Sequence, residues 1–153
     1  MGSLLNTTDT NIILERLDKL KTSSKPLWGK MTVNEMICHV SDPLRDVLKI
    51  RESKPAVPFI LRSLLKIILL NNKPFSKNSP TVKPYLQDDK GKGTKPKGFD
   101  SDMDDLIQLI HQFQTIDKDF VLGNHAALGQ LNQDTAARFI WKHLDHHLNQ
   151  FGY

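Results

Sequence analysis

Asn132–Phe151, NQDTAARFIWKHLDHHLNQF, is the stretch of sequence from which the fold of this chain can be worked out. It contains no Gly or Pro, Asn132 is a favourable helix N-cap, and Asp134 places an acid in the first turn. These features predict a helix of about five turns. At about 100° per residue, one side of this helix carries an apolar stripe and the opposite side is polar. The stripe consists of Ala136, Ile140, Leu144, His147 and Phe151.

The position of two histidines on this helix needs an explanation. His147 lies at the centre of the apolar stripe and His143 at its edge, whereas His146 lies on the shoulder toward solvent. Two inward histidines four residues apart can present two nitrogens to one metal ion. Inward histidines can also be hydrogen-bonded core residues, and helix geometry alone leaves both readings open. A third ligand would have to come from elsewhere in the chain.

Composition limits the class of protein. A chain of 153 residues is expected to form a single domain, residues 1–153, and can bury roughly 68–70% of its unfolded surface. The only cysteine, Cys38, excludes an internal disulfide and fits a reducing compartment. The net charge of +4 comes from dispersed residues, and the densest basic group, Lys90–Lys97, lies in a loop containing Gly and Pro. Nucleic-acid binding is therefore not predicted.

The sequence also predicts no membrane span. The N-terminus lacks a basic region followed by an apolar run, so no secretory signal is expected. The most apolar run, Pro58–Leu70, has Arg62 and Lys66 within it and is shorter than the roughly 20 residues needed to cross a bilayer. We expect a cytoplasmic protein.

Two helices are predicted in the first third of the chain. Asp9–Lys21 has apolar residues at helical spacing. A second helix is expected to begin at Thr32, because Thr32 and Glu35 form a capping-box pattern. Pro43 should kink or restart this helix. On the helical wheel, His39 lies on the shoulder of its buried face.

The middle of the chain predicts a short apolar helix, a long loop and a third main helix. Phe59–Leu70 is apolar nearly all round, so we expect it to be buried in the core, with a dimer interface or a substrate-pocket wall as alternatives. Residues 71–99 contain four prolines and three glycines and predict a long irregular loop. The third main helix is expected at Asp102–Ile116, capped by Ser101. With no strand pattern of useful length, the prediction is an all-α bundle of four long helices plus one short helix.

Several motifs together resemble the DinB-like superfamily. They are WGKMT at 28–32 leading to MICH at 36–39, then His125 with Gly129, and finally KHLDHHLNQFG at 142–152. The similarity spans nearly the whole chain, and the terminal His-x-x-His-His-x-x-Gln motif is its most specific part. Within the superfamily, the chain is most similar to a bacterial branch known only as a domain of unknown function.

The resemblance implies a four-helix bundle, often dimeric, that holds a divalent ion such as zinc or nickel with three histidines. Matched by position, these are His39, His143 and His147. Several similar members are thiol-dependent transferases or isomerases that use bacillithiol, mycothiol or glutathione, which implies a small-molecule substrate and a low-molecular-weight thiol as co-substrate. Groups that could orient the ligand imidazoles, or be ordinary polar residues, are Asp42, His125, His146 and Gln150.

Two hypotheses of different classes follow. The first is a metal-dependent enzyme with an open coordination position, for which the sequence identifies no catalytic acid, base or nucleophile. The second is a non-catalytic helical bundle with a structural metal or none, which self-associates or binds a partner through Phe59–Leu70. The three-histidine ligand set and the long loop favour the first hypothesis, and the missing acid, base or nucleophile favours the second.

Overall fold

The computed structural model describes residues 2–153, which form five α-helices and no β-strand. The helices are α1 (Thr7–Leu17), α2 (Val33–Val47), α3 (Phe59–Leu69), α4 (Phe99–Gln114) and α5 (Gln133–Gln150). A 3₁₀ turn, Lys83–Tyr85, interrupts the long connection between α3 and α4. The prediction of an all-α protein is confirmed.

The starts of α2 and α5 follow the predicted capping residues. The Asn132 side chain accepts a hydrogen bond from the backbone of Thr135, and Thr32 and Glu35 form a complete capping box. α2 continues through Pro43 rather than restarting there. Pro43 lacks the N–H that would bond to the carbonyl four residues earlier, so packing of α2 must offset that loss.

The predicted start of α4 was wrong. The helix begins at Phe99, and Ser101 lies within its first turn instead of capping it. The Asp102 carboxylate accepts hydrogen bonds from the backbone N–H groups of Lys97 and Gly98, at 2.9 and 3.1 Å. An acid inside the first turn therefore accepts from the backbone that precedes the helix, whereas the sequence pattern predicts Ser101 as the N-cap.

α2 lies at the centre of the fold, where it packs against α4 and α5, and α1 packs against α5. Arg16 and Asp145 form an ion pair of 2.7 Å, and the Trp141 indole donates to the Asp9 carbonyl at 2.9 Å, so polar contacts also join α1 to α5. The largest fully buried side chains include Met36, Ile37, Leu44, Leu106, Ile110, Phe113, Ile140 and Leu144. With Ile13 and Leu17 of α1, these residues form a core in which α2 is buried on most of its surface.

The expectation that the apolar helix would lie in the core was wrong. None of the residues of α3 falls in the buried class, and only side chains such as Leu65 and Leu69 pack partly against the core. A helix that is apolar all round but contacts the fold along one side leaves its other side in solvent. Within residues 2–153, no helix is both long and apolar enough to cross a membrane.

The long connection that follows α3 is held to α2 at a buried carboxylate. Asp42 accepts hydrogen bonds from the Gln87 side chain and from both the backbone N–H and the hydroxyl of Thr94. This attachment includes part of the predicted irregular stretch 71–99 and places the Lys83–Tyr85 turn beside α2.

Candidate metal centre

Three histidines bring their Nε2 atoms together between α2 and α5. Nε2 of His143 lies 3.1 Å from Nε2 of His39 and 3.1 Å from Nε2 of His147. Their potential ligand atoms all lie within 4.8 Å of one another. Two nitrogens that bind one tetrahedral zinc ion at about 2.0–2.1 Å are about 3.3 Å apart. The observed spacing therefore suits three ligands of a single ion.

The helices explain this convergence. His143 and His147 share one face of α5 because they are four residues apart. His39 comes from α2, which packs against α5 and carries this ring toward the other two. Although the wheel placed His39 on a shoulder, its side chain is only 4% exposed, because neighbouring elements cover it.

A backbone carbonyl orients the His39 ring. Nδ1 of His39 donates to the carbonyl of Tyr85 at 2.8 Å, since a carbonyl can only accept. The Nε2 lone pair is therefore directed toward the other histidines. The Tyr85 hydroxyl donates to Asp46 at 2.8 Å and accepts from the Ala126 N–H at 2.9 Å, and these two bonds fix the tyrosine itself.

The His147 ring is oriented by a side-chain amide. Gln150 donates from its nitrogen to the Trp28 carbonyl at 2.8 Å, which directs its oxygen toward His147. That oxygen lies 2.8 Å from Nδ1 of His147 and accepts a hydrogen bond from it. His147, like His39, thus keeps its Nε2 lone pair for the space between the rings.

The three facing Nε2 atoms do not have enough N–H groups to hydrogen-bond to one another. His39 and His147 both present acceptors, and a single N–H on Nε2 of His143 can serve only one of them. Nδ1 of His143 is buried and has no hydrogen-bond partner among residues 2–153. One of the converging Nε2 lone pairs is therefore left without a donor, which is costly at a buried site, whereas a divalent cation accepts several lone pairs at once. When Nε2 of His143 binds such an ion, Nδ1 carries the N–H of the ring. The donor set therefore fits a metal ion.

Electrostatics favour the neutral, metal-binding form of the rings. Burial, followed by the proximity of the other two rings, lowers the pKa of His143 well below its ordinary value. Burial and then His39 do the same to the pKa of His147. Burial also lowers the pKa of His39, although the Tyr85 hydrogen bond and the charge of Asp42 oppose it. Unprotonated imidazole is the form that coordinates metals.

His125 has a separate structural role in a turn. Its Nδ1 accepts hydrogen bonds from the N–H groups of Ala127 and Leu128, each at 3.1 Å. Burial, followed by the charges of Arg51 and His39, lowers the pKa of His125 to about 3. Its Nε2 is buried without a partner in the described part of the chain. The sequence predicts His125 either as a group that orients a ligand imidazole or as an ordinary polar residue, and the structure places its Nδ1 against backbone N–H groups of a turn.

The half-buried side of the centre is covered by aromatic side chains. The Phe75 ring lies 6.4 Å from the His143 ring and 5.7 Å from that of His146, measured between centroids. His146 is half-buried, and its ring also lies 6.0 Å from Trp28. The Lys142 ammonium lies over the Phe75 ring, 4.3 Å from its centroid, in a cation–π contact. Phe75 therefore lies beside both His143 and His146.

Asp42 holds the covering segment and also acts on the His39 ring through its charge. Besides Gln87 and Thr94, its carboxylate forms an ion pair of 3.0 Å with Arg51. These contacts hold the same segment that carries the Tyr85 carbonyl. Sequence reasoning missed Tyr85 and Trp28 because both act through backbone carbonyls, which leave no signal in side-chain patterns. Phe75 could have been suspected as an isolated aromatic residue in a proline-rich loop.

A family model described as "Protein of unknown function (DUF1569)" matches residues 56–152, more than half of the chain. The chain belongs to this family. In this DUF1569 protein the matched range includes His143 and His147 and begins after α2, which carries His39. Neither the curated proteins nor the solved structures gave a match. The family description names no activity.

Proposed function

We propose that this protein is a metal-dependent enzyme that acts on a small-molecule substrate and holds one divalent ion with His39, His143 and His147. The convergence of three Nε2 atoms, in which two rings are already oriented through Nδ1, is the observation that carries the proposal. Zinc and nickel are the proposed ions because both accept imidazole ligands. The resemblance to the DinB-like superfamily points to the same ligand set.

We further propose that residues 1–153 form one DinB-like domain. In this view α1, α2, α4 and α5 are the four helices of the bundle and α3 is an addition. The packing of α2 against α4 and α5, and of α1 against α5, supports the assignment. The long connection between α3 and α4 supplies the Tyr85 carbonyl and the Phe75 ring to the centre.

The proposed reaction transfers a group between a small-molecule substrate and the sulfur of a low-molecular-weight thiol such as glutathione, bacillithiol or mycothiol. A divalent ion on three protein nitrogens leaves a position for another ligand and lowers the pKa of a thiol or water that occupies it. The residues of the chain supply orientation: Tyr85 and Gln150 hold two ligand rings, and Phe75 limits water on the half-buried side. The reaction class follows from the resemblance, and the metal site from the geometry.

Metal content tests the site. Protein purified without a histidine tag or chelator should contain about one divalent ion per chain, or take one up from zinc or nickel salts. His147→Ala should abolish this binding, since it removes one of three ligands. His111→Ala, which alters an exposed histidine on α4, is the matched control and should bind normally. Equal metal content in all three proteins, or none in the wild type, would contradict the proposal.

A cobalt-loaded sample tests the thiol step. If the ion has an open position, addition of glutathione should change the visible and near-ultraviolet absorption of the bound cobalt, because a thiolate becomes a ligand. A spectrum that is unchanged by glutathione, cysteine and other small thiols would show a closed, structural site. That result would contradict the proposed thiol reaction but not the proposed metal site.

A further inference from the structure

α3 exposes a continuous apolar surface. Phe59, Ile60 and Ile67 are 74%, 81% and 72% exposed, and three further large apolar side chains of the helix are at least half exposed. Those three are Leu61, Leu64 and Ile68. Scattered exposed apolar residues are ordinary on a protein surface, but six on one helix of 11 residues form a patch that favours contact with another apolar phase.

The charged residues of α3 lie on the side nearer the protein. The Lys66 ammonium donates to the Gln130 carbonyl at 3.0 Å, and the Arg62 guanidinium lies 5.5 Å from the centroid of the Phe59 ring. Both residues are partly buried. Apart from Ser63, the fully exposed residues of the helix are therefore apolar.

The segment around α3 is strongly basic. Residues 53–87 contain six Lys or Arg and no Asp or Glu, a charge of +6 in a chain whose net charge is +4. The rest of the chain therefore carries a net charge of −2. Four of the lysines in this segment are exposed, and they are Lys54, Lys73, Lys77 and Lys83. The net positive charge of the protein is thus concentrated in the segment of the chain that contains α3.

We propose that α3 docks this protein onto an anionic lipid surface. The apolar face would enter the boundary between headgroups and acyl chains, and the flanking lysines would contact anionic headgroups. Eleven residues of helix are about 16 Å long, well below the roughly 30 Å of a bilayer core, so α3 lies in the plane of the surface. The proposal depends on α3 and its lysines and is independent of the metal site.

The positive charge of residues 53–87 favours an anionic lipid surface over a second copy of the chain as the partner of α3. A two-fold symmetric dimer through α3 would place the same surface of both copies together. Two segments of +6 would then face each other, and like charges repel. An anionic bilayer instead offers an apolar interior for the helix and, directly above it, negatively charged headgroups for the lysines.

The docking helix is connected to the metal centre. The Lys142 ammonium, adjacent in sequence to His143, donates to the carbonyls of Leu69 and Asn71 at 2.9 Å each. The end of α3 is thus attached to α5 beside the half-buried side of the centre. A lipid surface contacting α3 would lie near the segment that carries Phe75.

Sedimentation of the full chain with vesicles tests the apolar part of the proposal. The protein should pellet with vesicles of phosphatidylcholine containing phosphatidylglycerol and remain in solution with phosphatidylcholine alone. Ile60→Gln with Ile67→Gln should reduce the bound fraction by about tenfold or more. Leu5→Gln with Val121→Gln changes two exposed apolar residues elsewhere and should bind as the wild type does.

A second pair of variants tests the role of charge. Lys54→Gln with Lys73→Gln should weaken binding to anionic vesicles, and added salt should weaken it in the wild type, since headgroup attraction is screened. Lys19→Gln with Lys118→Gln removes the same charge from other exposed positions and should have less effect. Equal losses from the two lysine pairs would contradict a surface centred on α3.

Besides equal losses from the two lysine pairs, two results would overturn the proposal: no vesicle binding by the wild type, or equal binding by the Ile60→Gln/Ile67→Gln variant. The first result could be accompanied by a dimer in sedimentation velocity that this variant disrupts. Such a dimer would assign the surface to a second copy of the chain. Metal content measured on the same variants should remain unchanged, which separates failure of the docking surface from failure of the metal site.

Discussion

The side-chain oxygen of Gln150 lies 2.8 Å from Nδ1 of His147, three residues earlier on the same helix. The amide nitrogen of Gln150 is bonded to the Trp28 carbonyl, so the oxygen cannot exchange places with the nitrogen without losing that bond. This pair therefore determines which nitrogen of His147 carries the proton and which nitrogen is free to bind a metal.

Gln150→Ala should weaken zinc binding by about 10–100-fold, because His147 loses the acceptor that orients its ring. Competition with a chelating dye would measure the affinity. Asn149→Ala, at the exposed neighbouring position, is the control and should bind zinc normally. Gln150→Glu keeps an acceptor for His147 and should recover most of the affinity. Equal affinities for the alanine and wild-type proteins would show that Gln150 does not orient the ligand.

Tyr85→Phe should lower the free energy of unfolding by about 1–3 kcal/mol. The hydroxyl bonds to Asp46 and to the Ala126 N–H inside the protein, and both would lose a buried partner. Urea denaturation would measure the change. Tyr153→Phe, which removes a bond to the part-buried Ser24, should cost less. If the two variants lost the same stability, the buried network around Tyr85 would not be a special source of stability.

The metal-free protein should lose stability as the pH falls below 6.5, partly through His125. The pKa of this residue is about 3 in the fold and about 6.5 when unfolded, so between these values the unfolded chain binds the extra proton. Stability is then fully present above pH 6.5 and declines toward pH 3.

His125→Asn isolates this contribution. Asn keeps an acceptor for the N–H groups of Ala127 and Leu128 but does not titrate. Between pH 7.5 and 5.0 the wild type should lose about 2 kcal/mol more than the variant in urea denaturation. Parallel pH profiles for the two proteins would show that His125 is protonated in the folded state.

Cys38 should be unreactive in the native protein. Burial, followed by the charge of Asp102, raises the pKa of its thiol to about 12, and the side chain is fully buried. Thiol reagents should therefore label it at pH 8 only after denaturation. Labelling of the native protein at the rate of a free thiol would mean that α2 opens readily. Because Cys38 also differs in direction from His39 on the helix, metal loading should leave this result unchanged.

Local patterns predicted much of the helical structure because they depend on neighbouring residues. The capping residues Thr32 and Asn132 start α2 and α5 as expected, and the four-residue spacing places His143 and His147 on one face. The start of α4 was misplaced because Ser101 and Asp102 are both suitable for a helix N-terminus. Only the path of the preceding backbone shows that Asp102 accepts from Lys97 and Gly98.

The composition of α3 could not predict whether this helix is buried or exposed. The sequence of α3 favours burial, yet burial depends on whether another surface is available to cover it. α4 and α5 already cover α2, so α3 contacts the fold along one side only. Only the tertiary structure therefore shows that the outer side of α3 is exposed.

The sequence by itself determined the all-α class, most helix positions and the inward pair on α5, because helical periodicity and capping are properties of nearby residues. Only the tertiary structure decided how His39 meets that pair and which atoms orient the rings. A helical wheel describes one helix at a time, whereas the environment of His39 depends on α5 and on the carbonyl of Tyr85, 46 residues away. Burial and backbone hydrogen bonds between distant segments are set by packing, which no local pattern contains.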